Sequence, residues 1–480
     1  MVLLTKSKYM NGLQCLRLLW FAEKKLLPKI NLSDEHKFSQ GHDFEEYVKK
    51  LYSRSLDLNG LGFKENLDAT KKGVKERKTI FEAGFMINNL FVRCDLIKPV
   101  KNGWQLFEIK STTQVKPVHI PDLAFQKYVL EKSGLKVSNC FVIYINKDYV
   151  KKGKIDFEEL VLMEEVTNQV NEITGFEEKV KEFIRVMNLP KYDEMHIGQN
   201  CNNPYECPLK SECWKNFPEN NVLQLTNWRV YWKLFDAGIY DIKDIPADTK
   251  LNEKDQTLIR SLKESPQINK SEIKKFLDSL HYPLYHFDFE TFDTAIPIYD
   301  KSRPYQKIPF QYSLHIEQKD GSIEHKEFLA TGKIDPRKEL LKQMKKDLEG
   351  KGDIIVFNKS FEISVMRKLA EDFPANKKWL FQAMDRTVDL AEPFRLFHYY
   401  DKSQKGSYSI KKVLPAITGK SYNELEINNG GDASTLYFYS HIIKKLDNKE
   451  EIRANLIKYC GLDTEGMAWI INKLKKFKRT

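Results

Sequence analysis

The sequence predicts an α/β protein made of more than one unit, on three observations. Short apolar runs with strand-like alternation are interleaved with helix-spaced runs between about 79 and 145. The same alternation starts again at PLYHFDFETF, from residue 283. The 480 residues also exceed what one hydrophobic core serves, which suggests about two to four domains.

From the N-terminus, Leu13, Leu16, Leu19 and Trp20, then Phe44, Tyr47, Val48 and Leu51, recur at helix spacing, so residues 1–50 read as helical. TIFEAGFMI, LFVRCDLI and WQLFEIK, with a polar turn at Lys101-Asn102-Gly103, read as a strand meander over 79–110. A helix near 122–133 and the β-rich NCFVIYI at 139–145 complete the first α/β unit. Residues 220–280 are rich in Lys and Glu and predict helices around the turn FDAGIYDIKDIP, a connector or a small backbone-gripping module. A second α/β unit runs from PLYHFDFETF through QYSLHIEQ and DIIVFN to a helix over 450–475. The expected division is 1–218, a helical connector 219–282, and 283–480.

Hydrophobic residues at 41% can fill packed cores, while 30% charged residues and a mean hydropathy of -0.53 describe a water-soluble exterior. No stretch approaches the ~20 apolar residues of a membrane-spanning helix, and the N-terminus lacks the ordering of a secretory signal. A soluble, cytoplasmic protein with no membrane partner is expected. The net charge of +11 favours a polyanionic partner. Seven cysteines make no disulfide scaffold, and their odd number points to reduced thiols or metal ligation.

Asp95 ends one strand of the meander, and Glu108 and Lys110 share a face of the next because strand side chains alternate. Two carboxylates can hold a divalent cation that activates water, while a lysine steadies the developing charge. Alone, such a spacing describes ordinary hairpin charges. Together with Gly41-His42, the FEIKST run and the DLAFQKYVLE helix, however, it resembles the RecB-like branch of the PD-(D/E)XK nucleases. The resemblance implies a restriction-endonuclease-like fold, His42 beside Asp95 and Glu108 on the metal, Lys110 as a catalytic group, and Gln126 completing the site. That branch usually has a glutamine and a tyrosine four apart on this helix, whereas Gln126 and Tyr128 here are two apart.

Cys201, Cys207 and Cys213 recur at even spacing in QNCNNPYECPLKSECW, and Cys15 lies far upstream. Four thiolates suit zinc or an iron–sulfur cluster, and spacing does not separate the two. One cysteine before the nuclease core and three after it resembles the iron–sulfur RecB-like nucleases, which implies a 4Fe-4S cluster, with Zn2+ as the alternative. Cys94, Cys140 and Cys460 read as core residues.

In YHFDFET, Asp288 and Glu290 stand two apart at the end of an apolar strand and project to one face. Tyr459 and Asp463 stand four apart on a predicted helix, one turn over one another. VFNKSFE adds Asn358 and Glu362 where a strand gives way to a helix. Gathered, these carboxylates describe a two-metal phosphoryl-transfer site. This part resembles the DEDD exonucleases of the DnaQ-like, ribonuclease H-type fold, in the subclass ending in Tyr-x-x-x-Asp. The resemblance implies metal binding by Asp288, Glu290, Glu362 and Asp463, with Tyr459 orienting the attacking water. The usual middle aspartate is Glu362 here, and Asp389 in DRTVDLAEP is its rival.

The whole order resembles a bacterial family described as RecB-like nucleases. It implies a Mg2+- or Mn2+-dependent nuclease with two centres and 3′ to 5′ exonucleolysis in the C-terminal one. The expected partner is nucleic acid, foremost DNA with single-stranded ends. An RNA-processing exonuclease, or a nucleic-acid-binding platform with one degenerate site, is the alternative. Nothing in either motif set reads a 2′-hydroxyl.

Overall fold

The computed structural model describes residues 2–479, without the side chains of 478 and 479. They form two units with mixed sheets and flanking helices. One comprises the chain up to Asn216 together with Thr294–Gln306, and the other Phe217–Asp293 with the chain from Lys307 onward.

The strands of the first unit are β1 (Leu4–Thr5), β2 (Leu56–Asp57), β3 (Ile80–Ile87), β4 (Leu90–Val100), β5 (Gly103–Lys110), β6 (Val137–Ile145) and β7 (Val161–Glu165). They make a seven-stranded sheet ordered β2-β3-β4-β5-β6-β7, with β1 parallel to β4 beside it. β3, β4 and β5 are the expected antiparallel meander. β6 returns parallel to β5 after the helix His119–Lys132, as a crossover connection requires. Val92, Cys94, Leu106 and Val142 pack against Leu123, Phe125 and Val129 of that helix. On another side Phe81, Leu96, Phe107 and Ile143 meet Phe44 and Val48 of the helix Leu32–Lys50.

The second unit has β8 (Gln267–Ile268), β9 (Leu284–Phe292), β10 (Ile308–Glu317), β11 (Ile323–Leu329), β12 (Ile354–Val356), β13 (Thr387–Asp389) and β14 (Tyr399–Tyr400). Five of them form a sheet ordered β11-β10-β9-β12-β13. The first three are antiparallel, whereas β12 and β13 run parallel to β9. Phe287 and Phe289 of β9 join Tyr312, Leu314, Met366 and Leu380 in one core. The alternate positions of β10 meet the long helix Lys449–Arg479: Gln311 Nε2 donates to Leu456 O at 2.9 Å, and the hydroxyls of Ser313 and Thr464 share a 2.7 Å bond.

The division differs from the expected one at two places. Residues 219–282 do not stand apart as a connector but fall within the second unit. They are joined to the rest of it by β8 pairing with β14 and by Ser265, whose hydroxyl donates to Asp401 Oδ2 at 2.8 Å. Thr294–Gln306, between β9 and β10, belongs instead to the first unit. There the Ala295 amide donates to Gln40 Oε1, the Tyr305 hydroxyl donates to Ser111 O, and Lys151 pairs with Asp300 at 2.7 Å. Hydropathy alone reveals neither exchange, because both depend on distant hydrogen-bond partners. Among the described residues no helix is long and apolar enough to cross a membrane.

Candidate functional sites

Leu96 pairs with Phe107 across the β4–β5 ladder, which sets Asp95 and Glu108 opposite one another a rung further on. Asp95 Oδ2 accepts from the Ile109 amide at 2.8 Å. Glu108 is fully buried and takes a 2.5 Å bond from Lys110 and a 2.6 Å bond from Gln126 Nε2. Three of the expected groups thus gather around Glu108, and two unexpected ones join them. Asp122 accepts from Lys110 at 3.2 Å and from Gln126 at 3.0 Å. Lys6 reaches both Glu108 oxygens, at 2.9 and 3.2 Å, and Asp95 Oδ1 at 3.5 Å.

Burial pushes Asp95 up to about 7, reinforced by Glu108 and opposed by Lys6 and Lys110. Burial acts on Glu108 in the same direction, yet Lys110 and Lys6 hold it well below the usual carboxylate range. Gln126 Oε1 is buried with no hydrogen-bond partner, an acceptor still open to a donor. The centre therefore sets three carboxylates, Asp95, Glu108 and Asp122, against two ammonium groups.

Among the described residues no hydrogen bond or ion pair joins His42 to these acids. It lies exposed on Leu32–Lys50, although neighbouring Gly41 faces Ser111. Tyr128 stacks on Phe176 at 4.9 Å, away from Gln126, because positions two apart on a helix point to different sides.

The four expected cysteine ligands line one cavity together with Arg17, His196 and Leu209. Cys201 and Cys207 are buried, Cys15 and Cys213 half-buried. Burial pushes the Cys207 and Cys213 thiols up, and the neighbouring thiols add to the effect. The distant segments are stapled by Gln14, whose Nε2 donates to the carbonyls of Asn200 and Tyr205, both at 2.8 Å. Four cysteines around one pocket suit a metal group, and since no three of their sulfurs lie within 4.8 Å of one another the spread favours a cluster over a single zinc ion.

In the second unit Asp288 and Glu290 leave β9 on the face opposite Phe287 and Phe289. Ligand atoms of Asp288, Glu290 and Cys460 lie within 4.8 Å of one another, the one such trio among the described residues. Cys460 is thus buried as expected, but it also borders this centre, 3.9 Å from Asp288 Oδ2. Burial and the charges of Asp463, Glu290 and Glu362 hold Asp288 well above the ordinary range. Glu290 is raised by burial and by Asp463, against the pull of Lys411.

Glu362 stands in the first turn of Lys359–Asp372, is 1% exposed, and keeps Oε2 without a hydrogen-bond partner. Burial pushes it up to about 8. Its rival Asp389 lies near enough for its charge to add to that rise but is itself engaged, accepting from the amides of Asn358 and Ala391 and from Arg395 at 3.0 Å. Asp463, pushed up to about 6 by burial, accepts from the Tyr422 hydroxyl at 2.5 Å. Tyr459 is buried, with the acidity of its hydroxyl suppressed by burial and by the nearby Asp463, Glu290 and Asp288. Crowded buried carboxylates, one oxygen lacking any partner, fit cations.

Lys6, Asp122, Lys411 and Tyr422 were outside the sequence expectation. None left a distinguishing signal: Lys6 shares the run LLTKSKYMNGLQC with Lys8, and Tyr9 of that run stacks on Phe125 at 4.1 Å.

A family model described as Domain of unknown function (DUF2779) matches residues 285–409, which include Asp288, Glu290 and Glu362 but not Tyr459 or Asp463. The chain is similar to the uncharacterized protein UU173 of Ureaplasma parvum, 29% identical over 218 residues, covering 40% of this chain and 31% of that one. The chain thus spans about a third of that relative's length. The uncharacterized MG366 homolog of Mycoplasma pneumoniae is 22% identical over 561 residues, 88% of this chain and 84% of its own. MG366 of Mycoplasma genitalium is 22% identical, covering 78% of this chain and 64% of its own. No solved structure matches.

Proposed function

We propose that the protein is a metal-dependent nuclease acting on nucleic acid, foremost DNA, with 3′ to 5′ exonucleolysis at the second centre. The observation that carries this reading is the set of four acids, Asp288, Glu290, Glu362 and Asp463, crowded in a buried site with Glu362 Oε2 unpartnered. Divalent ions, Mg2+ or Mn2+, bound by these acids would neutralise the phosphodiester and activate water. Tyr459, beside Asp463, Glu290 and Asp288, would orient that water, Tyr422 holds Asp463, and Lys411 supplies a nearby positive charge. The β11-β10-β9-β12-β13 order supports a ribonuclease H-like reading of this unit, and the β3–β5 meander with its crossover helix supports a PD-(D/E)XK-like reading of the first. Cys15, Cys201, Cys207 and Cys213 would hold a 4Fe-4S cluster, or zinc, tying Cys15 to the segment that follows the nuclease core.

A polyanionic partner is supported by a groove in the second unit whose lining sets Lys342, Lys345, Lys346 and Lys351 against Glu349 and Asp385, with Trp379 beside them. Arg386 borders it too, but its guanidinium is occupied by the carbonyls of Leu348, Gly350 and Gly352. Lysines supply sequence-independent phosphate affinity, and an aromatic can stack a base.

A second reading, in which only one centre turns over, is favoured by the first centre's carboxylates, which lysines already compensate. Strands labelled at the 5′ or the 3′ end, as DNA and as RNA, test the proposal. Metal-dependent shortening of the 5′-labelled DNA with early release of a 3′ label is expected. No turnover with Mg2+ or Mn2+ on any strand overturns it.

A further inference from the structure

We infer that Lys6 is a built-in cation of the first centre, seated against Glu108 and Asp95 so that a divalent ion binds there only when this side chain moves out. The inference rests on reading that centre as a phosphodiester site, and it concerns what occupies the centre.

The Lys6 ammonium touches three carboxylates: Glu108 through both oxygens, Asp95 at 3.5 Å, and Asp122 at 3.8 Å. Glu108, fully buried, has no share of solvent, so its charge must be met by a neighbouring cation. In the second centre Glu362 Oε2 has no partner at all. In the first, each carboxylate oxygen of Glu108 is already taken by Lys6, Lys110 or Gln126. A divalent ion held by Asp95 and Glu108 therefore meets like charge at Lys6.

The backbone cannot withdraw to make room. Lys6 follows directly on β1, which pairs with β4 at Leu90 and Phe91, and it opens the helix Lys6–Gln14. That helix is fixed by the Tyr9–Phe125 stack and by Gly12, where an added Cβ would lie 2.7 Å from the Phe183 ring. The side chain can move, because it is 22% exposed and its four-carbon stem is flexible. Entry of the ion is thus an exchange of one cation for another.

The test is calorimetric titration of Mn2+ into the full-length chain, with the second centre silenced by Asp288→Asn and Asp463→Asn. Against that parent, Lys6→Met should bind one Mn2+ about tenfold more tightly or better, Asp95→Asn should remove the gain, and Lys6→Arg should not show it. Equal or weaker binding by Lys6→Met overturns the inference. Should Lys6→Met fail to fold, acetic anhydride labelling of the parent decides: Lys6 labelling read by mass spectrometry should rise severalfold at saturating Mn2+, while exposed Lys191 stays constant. Unchanged Lys6 labelling overturns it. Because both readings follow ion binding and not strand cleavage, failure of the nuclease proposal would leave this result interpretable.

Discussion

Tyr422 donates its hydroxyl to Asp463 Oδ1 at 2.5 Å, so one acid of the second centre is held by a residue forty-one positions away. Burial raises Asp463 to about 6, while this bond and Lys411 draw it back down. Tyr422→Phe removes the donor, so more of Asp463 is protonated at neutral pH. Mn2+ affinity at pH 7 should fall about three- to tenfold, and the affinity–pH curve should move to higher pH with the fold retained. Superimposable curves for the two proteins would speak against this role.

The same crowding gives the metal-free protein a pH-dependent stability. Glu362 titrates near 8 and Asp463 near 6 when folded, against about 4 when unfolded. Between those values the folded state holds more protons, so stability falls as pH rises from about 4 through 8. Glu362→Gln should flatten the decline and stabilise the metal-free protein at pH 8.5 by roughly 1–3 kcal/mol, while abolishing turnover. Saturating Mg2+ should flatten it in the unsubstituted chain. Urea midpoints at pH 5.5 and 8.5 check both.

Gly12→Ala places a methyl against the Phe183 ring, on the helix that carries Lys6 at its start and Cys15 just after its end. Overpacking of this kind costs about 1–3 kcal/mol. A lower melting temperature and reduced metal content at the cysteine cluster are expected. Unchanged melting would mean that Phe183 turns aside freely.

Cys207→Ser should remove the bound iron and its visible absorbance, or the zinc if zinc is the resident ion, as read by elemental analysis. Melting should also fall, since the group would link Cys15 to the 201–213 segment, whose other ties include the hydrogen bonds of Gln14. Full metal content in this variant would contradict the ligand assignment.

The sequence made the second centre most legible, because its spacings are local. Asp288 and Glu290 share a face by strand alternation and Tyr459 and Asp463 by one helical turn, and both relations hold whatever the tertiary structure. Lys6 and Asp122 were not legible. Lys6 reaches Glu108 only because β1 lies beside β4, a pairing of two residues that no local pattern signals. Lys411 and Tyr422 arrive from outside the motifs in the same way. His42 is exposed on a helix whose buried positions are His36, Gln40, Phe44 and Val48. The exchange of 294–306 between units was hidden for a related reason, since its anchors Gln40 and Ser111 lie far away in sequence.

The central claim is that the second centre performs metal-dependent phosphodiester hydrolysis, and the direct measurement is cleavage of an end-labelled single strand in Mn2+ by the unsubstituted chain, Asp288→Ala, Asp95→Ala and the double variant. Loss of at least about a hundredfold in rate is expected for Asp288→Ala, with Asp95→Ala retaining most exonucleolytic turnover and the double variant inactive. Full activity in Asp288→Ala would contradict the claim.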